Sequence, residues 1–155
     1  MFSDTHGSSK GMLSVISAWQ GQVHSVLFLG DGARDADAVE AAFPALPFYR
    51  VSGNCDIGGF TPESGLAAFG GVLFFYTHGH NYRVKAGLGG LWQEAKRRGA
   101  DVALFGHTHV AHCELVDGIY LFNPGSLSPP RNGISTYGII TIEDGSPKFE
   151  IRENR

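Results

Sequence analysis

The stretch at residues 101–109, "DVALFGHTH", decides how the chain is read. Val102 to Phe105 form an uninterrupted apolar run, as a strand covered on both faces requires. The run ends in Gly106, followed by two histidines spaced i and i+2. In extended backbone such residues project to the same side, so His107 and His109 can aim two imidazoles at one point. Gly106 lets other backbone approach without meeting a Cβ. Four more polar clusters also follow apolar runs: Thr77-His78-Gly79-His80, Gly53-Asn54-Cys55-Asp56, Gly30-Asp31 and Asp4-Thr5-His6. Ligands of open α/β sheets gather at the carboxyl ends of strands, so strands lying side by side would bring all five clusters to one edge.

The segments between the clusters fit that picture. Residues 11–19, "GMLSVISAW", and 33–43, "ARDADAVEAAF", have helical apolar spacing, the second stopped by Pro44. Residues 86–98 read as a third helix with its basic residues near the C-terminal end, where they suit the macrodipole. "HSVLFLGD" and "FYRVSGNCD" read as strands running into turns. Gly70-Gly71, Asp117-Gly118 and Asp144-Gly145 mark hairpins. A first half of alternating helix and strand and a mostly antiparallel second half favour two sheets packed face to face with helices outside.

Composition narrows the function classes. A chain of 155 residues, 43% hydrophobic, is expected to be a single domain spanning 1–155. A net charge of -3 lacks the basic footprint of a nucleic-acid binder. Nothing resembles a signal peptide or a membrane span, and Cys55 and Cys113 make no disulfide framework. A cytoplasmic protein is expected, with no membrane partner and self-association left open.

Singly, the first three clusters in chain order would read as turns, caps or loops and His78-Gly79-His80 as a surface loop, whereas His107 and His109 follow a fully apolar strand and are harder to dismiss. Together they supply seven candidate ligands of carboxylate, amide and imidazole type, suited to Mn²⁺, Fe²⁺, Zn²⁺ or Ni²⁺. Seven exceeds the need of one ion, and the two oxygens of Asp31 can bridge a pair. His24, His112, Trp19 and Trp92 are expected to be structural, Cys113 a packed core thiol, and Asp35 and Asp37 exposed helix residues. Arg34, Tyr82, Lys85 and Arg131 are weaker candidates for touching phosphate, Lys85 the best of them because "HGHNYRVK" runs straight out of the site.

The ordered set "SDTHG", Gly30-Asp31, "GNCD", "THGH", "FGHTH" and "NPGS" resembles the calcineurin-like metallophosphoesterases, and in detail their small YfcE/YsnB-type phosphodiesterases, over almost the whole chain. The resemblance implies a four-layer α/β/β/α sandwich of two mixed sheets and a dinuclear site. It implies Asp4, His6 and His109 on one ion, Asn54, His78 and His107 on the other, and Asp31 between them. It implies hydrolysis of a small phosphate ester, most naturally a phosphodiester, by a metal-bridging hydroxide, with Mn²⁺ as the first-choice metal. Asp31, Asn54, Cys55 and His80 form the catalytic set, His80 near substrate or behind the ligands. "NPGS", Asn123 to Ser126, is expected to close a loop near the site. The wider superfamily usually has histidine where Cys55 stands. A thiol can donate a proton but cannot supply imidazolium charge, which biases the reaction towards good leaving groups. A eukaryotic retromer subunit of similar fold serves as a protein-binding scaffold, so a scaffold or a metal-binding module without turnover is the alternative. Intact ligand positions favour the enzyme.

One oddity remains. Only Met1, Phe2 and Ser3 precede the first cluster, about 10 Å of fully extended chain. The first strand is therefore expected either to begin upstream of Met1 or to be a stub, with Asp4 and His6 then the least firmly held ligands.

Overall fold

A computed structural model of the chain describes residues 1–128 and 133–154. Arg131 lies outside the described residues. Three helices form: α1 (Ser9–Ala18), α2 (Ala33–Ala42) and α3 (Gly89–Arg97). α1 buries Met12, Val15 and Ile16, one face at i, i+3 and i+4 spacing. The strands are β1 (Val26–Phe28), β2 (Phe48–Arg50), β3 (Ser64–Phe69), β4 (Val72–Thr77), β5 (Val102–Leu104), β6 (His112–Val116), β7 (Ile119–Asn123), β8 (Thr136–Glu143) and β9 (Ser146–Glu153). The expected hairpins turn where the sequence marks them, at Gly70-Gly71, Asp117-Gly118 and Asp144-Gly145.

One sheet has the order β3-β4-β5-β7-β6, parallel through β4-β5-β7 and antiparallel at both edges. The parallel pair β1-β2 and the antiparallel hairpin β8-β9 are joined by the first residues of the chain. Phe2 donates its N–H to Leu27 O (2.9 Å) and accepts from Leu29 N (2.9 Å), a parallel bridge to β1. On the other side, Met1 and Gly138 exchange both backbone hydrogen bonds, at 2.7 and 3.0 Å. The second sheet therefore runs β2-β1-(1–3)-β8-β9, with the stub at its centre.

Three cores hold the layers apart. Leu27, Leu29, Val51, Phe74, Leu104 and Phe122 pack between the sheets. Phe2, Met12, Ile16, Phe28, Val39 and Leu127 fill the space under α1 and α2. Phe75, Leu91, Ala95, Ala103 and Leu121 lie under α3. This is the four-layer α/β/β/α sandwich. The buried middle residues of β1 and β5, apolar throughout, are what strands covered on both faces need. No helix among the described residues is long and apolar enough to cross a membrane.

Two expectations fail. Cys113 is exposed, because β6 is an edge strand whose middle residues face outward. Asp35 is not an exposed helix residue but is 6% exposed and hydrogen-bonded, as described below. Asp37 does face solvent and pairs with Arg50 at 2.5 Å.

Candidate metal centre

All five polar clusters stand at carboxyl ends of strands on one edge of the sandwich: Asp4 after the stub, Asp31 after β1, Asn54 after β2, His78 after β4, and His107 and His109 after β5. The chain makes sharp exits there. Of eight non-glycine residues with positive φ among the described residues, five are Asp4, His6, Asp31, His107 and His109. Two others, Asp117 and Asp144, sit in hairpin turns that call for that conformation. Positive φ disfavours an L side chain and persists only where surrounding contacts over-determine it.

Those contacts are hydrogen bonds. Asp4 is fully buried; its Oδ2 accepts from Ser3 Oγ (2.6 Å) and from His107 N (3.0 Å). Asp4 is thus tied firmly to the neighbouring sheet, and the expectation of a loosely held first ligand fails for it. Asp31 Oδ1 accepts from Cys55 N at 2.8 Å. Backbones approach closely: a Cβ on Gly53 would stand 2.1 Å from Asp31 Oδ1, and one on Gly106 would stand 1.9 Å from Ser3 Oγ.

Each carboxylate keeps one oxygen for the interior of the site. Asp4 Oδ1 is buried and has no hydrogen-bond partner. Around it lie His109 Nε2 at 3.1 Å, His6 Nε2 at 3.9 Å and His78 Nε2 at 3.9 Å. Asp31 Oδ2 lies 3.4 Å from His78 Nε2 and 4.0 Å from His6 Nε2. His78 Nδ1 is 2.7 Å from Leu29 O, so that nitrogen donates and Nε2 faces the site. In neutral His78 that leaves Nε2 as an acceptor opposite Asn54 Oδ1 and His107 Nδ1, each 3.2 Å away. His6 Nε2 and His109 Nε2 are likewise 3.3 Å apart.

Buried carboxylates surrounded by imidazole nitrogens and an amide oxygen are a donor set that can hold a cation. Ligands bound at roughly 2.0–2.2 Å stand about 3–3.5 Å from one another, close to most of these separations. Two ligand groups emerge, Asp4-His6-His109 and Asp31-His78-His107, with Asn54 beside the second. A third grouping, His6-Asp31-Cys55, places the Cys55 thiol at the mouth.

The protein's own charges respond to this crowding. Burial opposes ionisation of Asp31, yet the His78 hydrogen bond and the Cys55 N–H hold its carboxyl well below the usual range. Burial also opposes protonation of His78, but Asp31 and Asp4 overcome it and raise its pKa. Burial, then the charges of His78 and Lys85, push His107 down to about 4. Burial lowers His80. His80 stands in a 3-10 turn (His80–Tyr82), its ring 5.4 Å from that of His78, and its buried Nδ1 lacks a partner.

Several residues that fix the site are not ligand candidates. Asp35 Oδ2 accepts from Thr5 Oγ1 (2.6 Å) and Gly7 N (2.8 Å), tying α2 to the first cluster. Asn123 Nδ2 bonds Gly106 O (3.0 Å) and Thr108 Oγ1 (3.1 Å), and Ser126 Oγ bonds Asp4 O (2.9 Å). That gives "NPGS" its place: it braces the loops of Asp4 and His107. Asp56 accepts four backbone N–H groups. Only its position inside "GNCD" hinted at this. Of the weaker candidates, Arg34 and Lys85 are exposed, and Tyr82 packs edge-on against Phe75. His24 is exposed, and His112 stands 3.2 Å from Glu114.

Comparison with known proteins agrees with this geometry. The profile of the calcineurin-like phosphoesterase superfamily domain matches residues 1–145. The probable metallophosphoesterase YsnB of Bacillus subtilis is 33% identical over 146 residues, 93% of this chain and 83% of that protein. Phosphodiesterase MJ0936 of Methanocaldococcus jannaschii is 39% identical over 82 residues, 53% of this chain and 43% of that protein. A predicted phosphoesterase from Streptococcus pneumoniae superposes with a TM-score of 0.83 at 28% identity, covering 99% of this chain and 87% of that one.

Proposed function

Because this chain belongs to the calcineurin-like phosphoesterase superfamily, we propose that it is a metal-dependent phosphodiesterase acting on small phosphate esters at a dinuclear centre. The observation that carries the reading is the convergence on one buried carboxylate oxygen, Asp4 Oδ1, of three imidazole nitrogens: His109 Nε2 at 3.1 Å and His6 and His78 Nε2 at 3.9 Å each. Asp4, His6 and His109 would hold one divalent ion and Asn54, His78 and His107 the other, with Asp31 serving both. Mn²⁺ is the first choice, since carboxylate, amide and imidazole donors suit it. Such a pair of ions, when bound, lowers the pKa of water and neutralises charge on the phosphoryl oxygens.

The chain's own residues supply the rest. Asp31 and Asp4 are held by hydrogen bonds before any ion arrives, so little reorganisation accompanies binding. The Leu29 carbonyl fixes His78 with Nε2 towards the site. Cys55 is exposed at the mouth, where a thiol can give a proton to a departing oxygen. His80 lies behind His78, its ring 5.4 Å away and its Nδ1 buried, where it can support the ligand side chain. A phosphodiester is favoured over a monoester by likeness to a named phosphodiesterase. Two exposed, unpaired thiols suit the reducing cytoplasm. The residues span one domain, and the seven ligand positions all carry competent side chains, which favours turnover over a scaffold role.

The test is metal content by mass spectrometry together with hydrolysis of bis-p-nitrophenyl phosphate, with and without Mn²⁺. About two ions per chain, and turnover abolished in Asp31→Ala, is the expected result. Full occupancy with no turnover on any phosphate ester would replace the enzyme by a binding module. No metal after reconstitution would reject the centre.

A further inference from the structure

Asp56 makes more backbone contacts than any ligand side chain, yet it reaches no ligand atom of the site. Its Oδ2 accepts from Asp31 N (2.8 Å) and Gly53 N (2.9 Å), and its Oδ1 from Gly32 N (2.9 Å) and Ala33 N (2.8 Å). Asp56 N in turn donates to Gly53 O at 3.2 Å, closing the turn that carries Asn54. Gly32 is the N-cap of α2 and offers no side chain, so Asp56 caps that helix from a segment more than twenty residues away. The negative carboxylate also faces the positive end of the helix dipole.

The consequence concerns two ligands. Asp31 has φ 60° and is followed by Gly32 at φ 157°, a turn that a free chain would rarely hold. Gly53 packs against Asp31 so closely that no Cβ fits between them. The turn of Asp31 and the turn of Asn54 are therefore a single unit, and the Asp56 carboxylate is the clasp. Gly53, Asn54 and Cys55 follow one turn; Asp31, Gly32 and Ala33 follow the other; four hydrogen bonds to one side chain set their separation.

We propose that Asp56 is the positioning residue of the metal centre, fixing Asp31 and Asn54 relative to each other so that the second ion finds its site formed. The proposal rests on the dinuclear reading given above. It predicts an asymmetric defect. The Asn54-His78-His107 ion depends on both clasped turns; the Asp4-His6-His109 ion depends on one, through Asp31 alone.

The experiment is calorimetric titration of metal-stripped protein with Mn²⁺, well below the melting temperature, with melting of stripped and loaded forms in parallel. The variants are Asp56→Ala, Asp56→Asn and, as control, Asp101→Ala. Asp101 accepts from Leu73 N (2.8 Å) at the start of β4, the end of that strand opposite His78. The expected result for Asp56→Ala is a loss of about 10–100-fold in affinity for one ion and a smaller loss for the other. Asp56→Asn, which keeps one acceptor oxygen, should recover part of it. Asp101→Ala should lower the melting temperature and leave both affinities at wild-type values. If Asp56→Ala melts lower yet binds both ions as wild type does, Asp56 is only a helix cap and the proposal is overturned. Equal losses at both ions, with no recovery in Asp56→Asn, would also overturn it. If wild type itself binds no Mn²⁺, the dinuclear reading fails first and takes the proposal with it.

Discussion

Asp4 and Asp31 divide their oxygens, one for the protein and one for the site, and that division separates a ligand from an ordinary buried carboxylate. Cys55 is placed differently. It is exposed, and burial together with the nearby Asp31, Asp56 and Asp4 charges pushes its thiol up, so it stays protonated at neutral pH. As a thiol it can give a proton to a departing oxygen. With a nitrophenolate leaving group, which needs no proton, Cys55→Ala should cost about tenfold or less in kcat. Asp31→Ala and Asn54→Ala should cost on the order of 10³ or more, because each removes a support for charge at the phosphoryl group. Steady-state rates for the three variants decide it; comparable losses in all three would restore Cys55 to the essential set. The convergence of the candidate ligands was legible in the sequence because Asp-x-His and Gly-His-x-His keep their spacing at the ends of apolar runs. The clasp of Asp56 and the brace of Asp35 were not, since a carboxylate that bonds backbone N–H groups twenty or more residues away leaves no periodic trace.

Among the elements, the helices and hairpins were readable from apolar spacing and Gly-containing turns, whereas the strand made of Met1 to Ser3 was reached only through the family resemblance, as one of two alternatives. Three residues carry no periodicity, and only their neighbours show that they complete a sheet. Gly138 points its N–H and C=O at Met1, so by alternation Ile140 and Ile142 present theirs on the same edge of β8, away from β9. Beyond Met1 a groove of about 610 Å³ continues the line of the stub, walled by Trp19, Val23, Leu27, Phe69, Phe74 and Ile140. Its floor and roof belong to two of the cores, so alternate side chains of an added strand would all meet apolar surface. Extending the chain ahead of Met1 by five alternating apolar residues should therefore add a paired strand. Burying two or three side chains, less the ordering entropy, leaves a few kcal/mol and a rise of about 3–10 °C in melting temperature. Thermal melts of the extended and original chains check this, and an unchanged midpoint would mean that the groove does not accept a strand.

At the scale of the whole molecule, the centre is a seam between the sheets. Asp4, His6, Asp31 and Asn54 leave the sheet that contains the stub, and His78, His107 and His109 leave the other. Along the rest of the interface the sheets are joined by apolar packing, which has no direction of its own. At this edge the join is polar: Asp4 to His107 N, His78 to Leu29 O, and His78 Nε2 facing Asn54 Oδ1 at 3.2 Å. Ions bound there would draw the two sheets together through both ligand groups, and they bind the folded chain alone. At a free concentration 100 times the dissociation constant, one ion stabilises by about 2.7 kcal/mol. For a domain of this size that is roughly 5–10 °C in melting temperature. Chelation with EDTA should lower the midpoint by about that much and Mn²⁺ should restore it, while Asp31→Ala should show neither response. Differential scanning calorimetry separates the cases. An EDTA-insensitive midpoint in protein shown to carry metal would place the ions on a surface rather than in the seam, and the coupling between the sheets would then rest on the apolar core alone.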